Sequence, residues 1–365
     1  MPLRHDIQSL SRNFQIFADF QSAEAYGAGH INDTYAATYR QGGATIRYIH
    51  QRINRNIFKD AAGLMENVQR VTEHLRAKLS DRPDVTRRAL TLVPARDGRM
   101  FHVDSQGEYW RTYVFIEDAR TYDVVESTKQ AYEAAKVFGR FQGLLADLST
   151  PRLHDTIPDF HNTPKRFAAL EKAIEADVAN RARLARAEID FALCRKPIAS
   201  RLIDLQSQGV LPERTTHNDT KFNNVMLDNA TQEGLCVIDL DTVMPGLAPY
   251  DFGDMVRTTT SPALEDEKDL SKVCLQFPMF EALVRGYLAG VGDVLNQAEK
   301  RHLAFSGKLI SFEQGIRFLA DFLAGDVYYK VHRDGHNLDR CRTQFKLVES
   351  IETQEEKMNR LVEDL

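Results

Sequence analysis

Apolar residues recur three or four positions apart between Gly63 and Leu79, at Leu64, Val68, Val71, Leu75 and Leu79. That period predicts an amphipathic helix. A strand is predicted before it at Ala44–Ile53, and three more after it at Ala89–Val93, Met100–Val103 and Tyr109–Ile116. The turn sequences Arg96-Asp97-Gly98 and Asp104-Ser105-Gln106-Gly107 separate the last three. Hairpins of this kind build a small antiparallel sheet, not a doubly wound parallel one. Residues 1–20 read as a short helix with Leu10, Phe14, Ile16 and Phe17 as its apolar contacts, followed by a hairpin pattern through residues 25–39. From Ser127 onward the pattern turns helical. Tyr132, Ala135, Phe138, Phe141, Leu144 and Leu145 form one apolar face, with Ser127 or Thr128 as its cap. Two charged helices follow across 165–207. A short hairpin is predicted at Val225–Leu227 and Leu235–Ile238, then a mostly helical last third with a final surface helix at about 344–363. A sheet followed by helices is an α+β arrangement.

Composition changes this picture little. A chain of 365 residues suits two lobes rather than one small core. With 43% apolar and 27% charged residues it reads as an ordinary globular protein. A net charge of −5 argues against a general nucleic-acid binder. Cys194, Cys236, Cys274 and Cys341 are scattered, without the close pairs that zinc sites use. Free thiols in a reducing compartment are the expectation, and no apolar run approaches the ~18–20 residues of a membrane span. A cytoplasmic location is expected, and the oligomeric state is left open.

One stretch carries chemistry. It runs Thr215-Thr216-His217-Asn218-Asp219-Thr220-Lys221-Phe222-Asn223-Asn224, then Cys236-Val237-Ile238-Asp239-Leu240-Asp241, then Tyr250-Asp251-Phe252-Gly253-Asp254. An Asp is followed five residues later by an Asn, and an apolar strand then ends on a second Asp. Phosphoryl transfer from ATP needs such a set: a carboxylate to accept a hydroxyl proton, and an amide oxygen plus a carboxylate to hold Mg²⁺. Upstream, Gly27-Ala28-Gly29 could bring backbone N–H groups close to phosphates. No Gly-Lys-Ser/Thr follows, so this is not a Walker motif.

His217 to Asn224 together with Ile238-Asp239-Leu240-Asp241-Thr242 resembles the aminoglycoside phosphotransferase and choline kinase superfamily, small-molecule relatives of protein kinases. Gly27 to Tyr35, Phe160 to Phe167, Leu264 to Lys272 and Arg317 to Asp321 resemble, more narrowly, the N-acetylhexosamine 1-kinases. The resemblance covers about residues 20 to 355. It implies a two-lobed protein-kinase-like fold, with a small antiparallel-sheet N-lobe over 1–116 and a larger, mainly helical C-lobe over 117–365. The implied reaction is ATP- and Mg²⁺-dependent phosphorylation of the anomeric hydroxyl of N-acetylglucosamine or N-acetylgalactosamine. Asp219 would be the catalytic base and would also orient the sugar, with Asn224 and Asp239 as metal ligands. Gly27 and Gly29 would cover the phosphates, and the hinge around Phe115 and Glu117 would hold adenine. The superfamily's usual strand lysine is missing, which leaves Gln51 or Arg52 as the contact, with Arg52 the basic candidate. His30, Asp241, Arg317 and Tyr328 would face the sugar, Asp241 alternatively standing behind the ligands. Asp251 would brace the catalytic loop. Glu66 and Glu73 are candidates to fix the strand base, and Lys221 to meet phosphate. Two alternatives remain open at this point: a kinase of another alcohol (an aminoglycoside, choline, homoserine or a different sugar), or a nucleotide-binding pseudokinase.

Overall fold

The computed structural model describes residues 3–27, 31–148 and 150–365. The fold is α+β: an antiparallel sheet in the N-terminal part and helices beyond it. Helix α1 (Ile7–Ser11) precedes strands β1 (Asp19–Ala25), β2 (Asp33–Gln41) and β3 (Ala44–Arg52). Then come α2 (Ala61–Lys78), the single turn α3 (Val85–Arg88), β4 (His102–Val103) and β5 (Tyr109–Val114). These strands form one sheet in the order β1-β2-β3-β5-β4, every pair antiparallel. Strand alternation gives it two different faces. One packs on α1 through Ile7, Leu10, Phe14, Tyr35, Tyr39 and Trp110. It also encloses His50, fixed between the Tyr39 hydroxyl (2.9 Å) and Thr112 Oγ1 (2.8 Å). The other face looks toward α2 and the helical part.

Asp60 caps α2 by accepting from the Gly63 N–H, and the predicted Leu64, Val68, Val71 and Leu75 are all buried. Each such side chain contributes ~2 kcal/mol. Ala89–Val93 is not a strand. Only a bridge from Leu92 to Tyr113 forms, with N–H groups of Val93 and Val114 crossing between the segments. Pro94 lacks an N–H and the turn at Gly98 follows, so the ladder stops, and β4 takes up the same edge of β5.

The helical part comprises α4 (Thr128–Leu144), α5 (Thr163–Ala176), α6 (Arg186–Arg195), α7 (Arg201–Ser207), α8 (Ala248–Thr259), α9 (Phe277–Val291), α10 (Gln297–Arg301), α11 (Leu303–Leu323) and α12 (His336–Glu363). Short strands lie among them: β6 (Ala119–Arg120), β7 (Arg214–Thr216), β8 (Val225–Asp228), β9 (Gly234–Val237) and β10 (Met244–Gly246). They make a β6-β8-β9 sheet and a β7-β10 pair. α4 and α9 approach backbone to backbone. A Cβ at Gly139 would lie 2.3 Å from the Tyr287 carbonyl oxygen, and one at Gly286 would lie 2.2 Å from that of Tyr132. α12 starts at His336, earlier than expected, after Gly335 in the left-handed region (φ 70°). It is not a surface helix either, since Cys341, Phe345, Val348 and Ile351 are buried. Among the described residues no helix is long and apolar enough to cross a membrane.

Candidate active site

β7 delivers the chain into the loop His217–Lys221, and β10 pins β7 from the other side. The loop is held from beneath by Asp251 of α8. Its carboxylate accepts from the His217 N–H (2.9 Å) and the Asn218 N–H (2.7 Å). Asn218 takes a left-handed backbone (φ 66°), stabilised by its side-chain amide donating to the Thr242 carbonyl (2.9 Å). The His217 ring lies edge-on to Phe138 and Phe141, and its Nε2 donates to the Ile238 carbonyl (2.9 Å). Its Nδ1 then accepts from the Asp219 N–H (3.3 Å). The conformation of Asp219 is therefore set by neighbours on three elements.

The Asp219 carboxylate meets Lys221 Nζ at 2.9 Å and accepts from the Asn224 amide at 3.1 Å. Burial would raise its pKa, but the Lys221 charge and hydrogen bond, with His217 and Arg257, outweigh that and hold it below the usual value. Lys221 is correspondingly raised to about 12, first by Asp219. Asn224 also gives its side-chain N–H to the Asp219 carbonyl (2.8 Å), which leaves its Oδ1 as the atom available to a cation.

The β8-β9 hairpin brings Asp239 opposite. Asp239 has a left-handed backbone (φ 58°, ψ 60°) and opens the single turn Leu240–Thr242. Its side chain is exposed by surface area but hemmed in on its other sides. Burial, then the Asp241 and Asp219 carboxylates, push its pKa up to about 6. Crowded carboxylates of this kind fit a cation. Among the described residues, however, no group of three or more His, Cys, Asp or Glu side chains could hold a metal ion by itself. One amide oxygen and one carboxylate match Mg²⁺, which takes most of its ligands from phosphates and water.

Asp241 does not face a substrate. It is 2% exposed, one oxygen paired with Arg111 of β5 and the other accepting from Asn32 (2.7 Å). Arg111 is 1% exposed and also donates to Gln51 Oε1 (3.0 Å). Asn32 in turn accepts from the Asn54 N–H (3.0 Å), so the end of the glycine loop, the sheet and the Asp239 turn are joined at one carboxylate. Arg52 does not reach this side. Alternation turns it to the α1 face, where it pairs with Asp33 (2.6 Å) and Glu108 (3.0 Å). Gln51 is the β3 residue on the Asp241 side, and Arg111 supplies the positive charge. Neither helix glutamate joins it: Glu66 binds His154 (2.9 Å) and Glu73 accepts from Gln69 (2.8 Å).

Gly27 adopts φ 80° with open space around it, as a turn glycine does. Gly29 and His30 lie outside the described residues. At the end of β5, Phe115 sits under Arg47 (3.8 Å) and beside Tyr26 (5.5 Å between centroids). The Glu117 carboxylate pairs with the same Arg47. The Phe115 N–H donates to the Arg47 carbonyl and the Glu117 carbonyl accepts from Arg87. Among the described residues no hydrogen bond uses the Phe115 carbonyl or the Glu117 N–H.

On the opposite flank of the loop, Arg317 does not pair with Asp321. Asp321 is occupied by the N–H groups of Val327, Tyr328 and Tyr329 and by Asn337. Arg317 donates to Gln314 Oε1 (3.0 Å) and lies against Phe160 (5.7 Å) and Tyr329 (5.9 Å). The turn on Asp321 thus brings Tyr329 to Arg317, while Tyr328 is 68% exposed. His161, next to Phe160, bonds to the Asn218 carbonyl (3.0 Å) and to Glu313 (2.9 Å). Both partners are acceptors, so both ring nitrogens carry hydrogen. Burial opposes that charge, but Glu313 and the two hydrogen bonds raise the His161 pKa.

Residues 22–290 match the model of the phosphotransferase enzyme family, about three-quarters of the chain. The chain belongs to this family. Solved structures agree on the fold at low identity. An aminoglycoside phosphotransferase from Alicyclobacillus acidocaldarius superposes with a TM-score of 0.67 at 12% identity, covering 100% of this chain and 98% of that one. A choline kinase from Cryptosporidium parvum gives 0.52 at 14%, covering 98% and 96%. A spectinomycin phosphotransferase solved with ADP and spectinomycin gives 0.51 at 13%, covering 98% of each.

Arg111, Asn32 and His161 stand at this candidate site with no role expected from the sequence. Arg111 did leave a signal, a charged residue between Trp110 and Thr112 in a strand otherwise fit for a core. Asn32 and His161 left none beyond their place in the quoted motifs.

Proposed function

We propose that this phosphotransferase moves the terminal phosphoryl group of ATP to the anomeric hydroxyl of an N-acetylhexosamine, in a cleft between lobes divided near residues 116 and 117. The adenine edge needs one acceptor and one donor, and the Phe115 carbonyl and Glu117 N–H are among the hinge atoms left for them. Asn224 Oδ1 and the Asp239 carboxylate would hold Mg²⁺, which when bound neutralises phosphate charge. Asp219 accepts the sugar hydroxyl's proton as the oxygen bonds to phosphorus. Its hydrogen bond from Asn224 aims it, and Lys221 keeps it ionised and ready. Arg111 acts through Asp241: the buried pair anchors the turn that presents Asp239 and ties it to the N-terminal sheet.

The observation that carries the choice of acceptor is Arg317. It has no acidic partner within ion-pair distance among the described residues, and it sits beside the catalytic loop in a wall of Phe160 and Tyr329. A pocket for a cationic acceptor such as choline or an aminoglycoside would present carboxylates there instead. A guanidinium suits sugar hydroxyls and an amide oxygen. The test is a turnover panel of N-acetylglucosamine, N-acetylgalactosamine, glucose, galactose, choline and kanamycin with ATP and Mg²⁺, the product being located by phosphorus–proton coupling. Phosphate on the anomeric carbon of an N-acetyl sugar supports the reading. Turnover of only a cationic alcohol overturns the substrate and keeps the phosphotransferase.

A further inference from the structure

A second guanidinium shares Phe160 with the first. Arg166, on α5, donates through Nη2 to the Phe160 carbonyl (3.1 Å), and the Phe160 ring lies against Arg317. Neither arginine has a carboxylate within ion-pair distance among the described residues. The nearest buried acid, Glu313, is already taken by His161 (2.9 Å) and the Thr163 hydroxyl (2.6 Å). Arg257, further along, is satisfied by Asp254 (2.8 Å) and Glu265 (3.3 Å). Arg166 Nε is buried with no partner at all. A buried unsatisfied donor on a charged group is costly and rarely left so. Among the described residues neither arginine has an ion-pair partner of its own, and the Glu313 carboxylate acts on both only from beyond hydrogen-bond range.

We propose that Arg166 and Arg317 form a seat for an anionic group, a carboxylate or a phosphate ester, carried by the acceptor molecule. The bound acceptor would then be an N-acetylhexosamine that also carries an acidic group. Guanidinium forks, one from α5 and one from α11, suit the planar oxygens of a carboxylate, or two oxygens of a phosphate. His161 links this wall to the catalytic loop, through Phe160 on one side and the Asn218 carbonyl on the other. An anion held here would therefore fix the acceptor relative to Asp219. In support, burial and then the Arg317 charge lower the Arg166 pKa, a repulsion that an anion would relieve.

The inference rests on the kinase reading for the identity of the acceptor site, but not for the anion. Calorimetric titration in the presence of ADP and Mg²⁺ should compare N-acetylglucosamine, N-acetylmuramic acid and N-acetylglucosamine 6-phosphate, with inorganic phosphate as a competitor. Turnover of the three sugars is measured beside it. One of the acids should bind about tenfold or more tightly than the neutral sugar, the scale of a charge-assisted hydrogen bond. Which acid does so separates a carboxylate from a phosphate ester. That ratio should collapse toward one in Arg166→Gln, which keeps a donor for the Phe160 carbonyl, and fall partway in Arg166→Lys. Equal or tighter binding of the neutral sugar by the unmodified protein overturns the seat, as does an acid preference that survives Arg166→Gln. Preferential turnover of the neutral sugar removes the seat and leaves the kinase. Acid binding with no turnover of any sugar leaves the seat and removes the kinase.

Discussion

Replacing Arg111 by Met removes one half of a pair that is almost wholly out of solvent, with 1% exposure on one side and 2% on the other. The Asp241 carboxylate would keep only its hydrogen bond from Asn32, and Gln51 Oε1 would lose its donor. Breaking a buried pair by deleting one partner costs about 3–5 kcal/mol, because an uncompensated charge stays behind. A domain with a total stability of ~5–15 kcal/mol would survive this in a weakened form. Urea unfolding should report the loss as a lower midpoint at unchanged slope. The companion variant Arg111→Met/Asp241→Leu removes both charges, and a well-packed apolar replacement is often neutral or better. The double variant should therefore regain most of the stability. It should not regain activity, because the Leu240–Thr242 turn that presents Asp239 has lost its tie to the sheet. ATP turnover at saturating Mg²⁺, with the best acceptor of the panel, measures this. If Arg111→Met unfolds within about 1 kcal/mol of the parent, or if the double variant turns over normally, then Arg111 has no positioning role.

Other residues give independent checks. His50 is buried and its pKa is pushed down from 6.5 to about 4 by desolvation, so the folded protein favours the neutral ring. Its contribution is complete above pH 6.5 and falls as pH drops toward 4. Thermal or urea unfolding at pH 7.5 and 5 should show a loss approaching ~2 kcal/mol over that range, and His50→Gln should flatten it. Lys221→Met should raise the Asp219 pKa and move the acid limb of the kcat/KM profile to higher pH, because Asp219 must be ionised to accept a proton. An unmoved limb would dissociate Lys221 from the base. Gly286→Ala forces a methyl to 2.2 Å from the Tyr132 carbonyl oxygen, so it should destabilise by ~1–3 kcal/mol with little change in KM. A variant as stable as the parent would show that α4 and α9 can separate there.

The helix at α2 was legible because five apolar residues at helical spacing can bury together in one way only. The candidate site loop was legible for a different reason: Asp219, Asn224 and Asp239 are local in sequence, and the chemistry proposed for them needs those residue types. What escaped depended on distant contacts. Whether Gln51 or Arg52 faces the cleft is a matter of strand parity, and that parity is set by pairing with β2 and β5. The role of Asp241 is decided by Arg111, 130 positions away. Tyr328 and Tyr329 exchange places because Asp321 gathers three successive N–H groups into a turn, which neighbouring side chains cannot announce. The Ala89–Val93 segment has strand composition, but Pro94 cuts its ladder short.

Phosphoryl transfer is proposed to rest on Asp219, Asn224 and Asp239 together. The most direct measurement is steady-state turnover by Asp219→Asn beside the parent, with ADP binding measured on both. Asn is nearly the same size and can still contact Lys221, but it cannot take the proton. With Asp219 as the base, kcat should fall ~10²–10⁴-fold with nucleotide binding unchanged. A kcat within a fewfold of the parent would contradict Asp219 as the base and place the base on another residue.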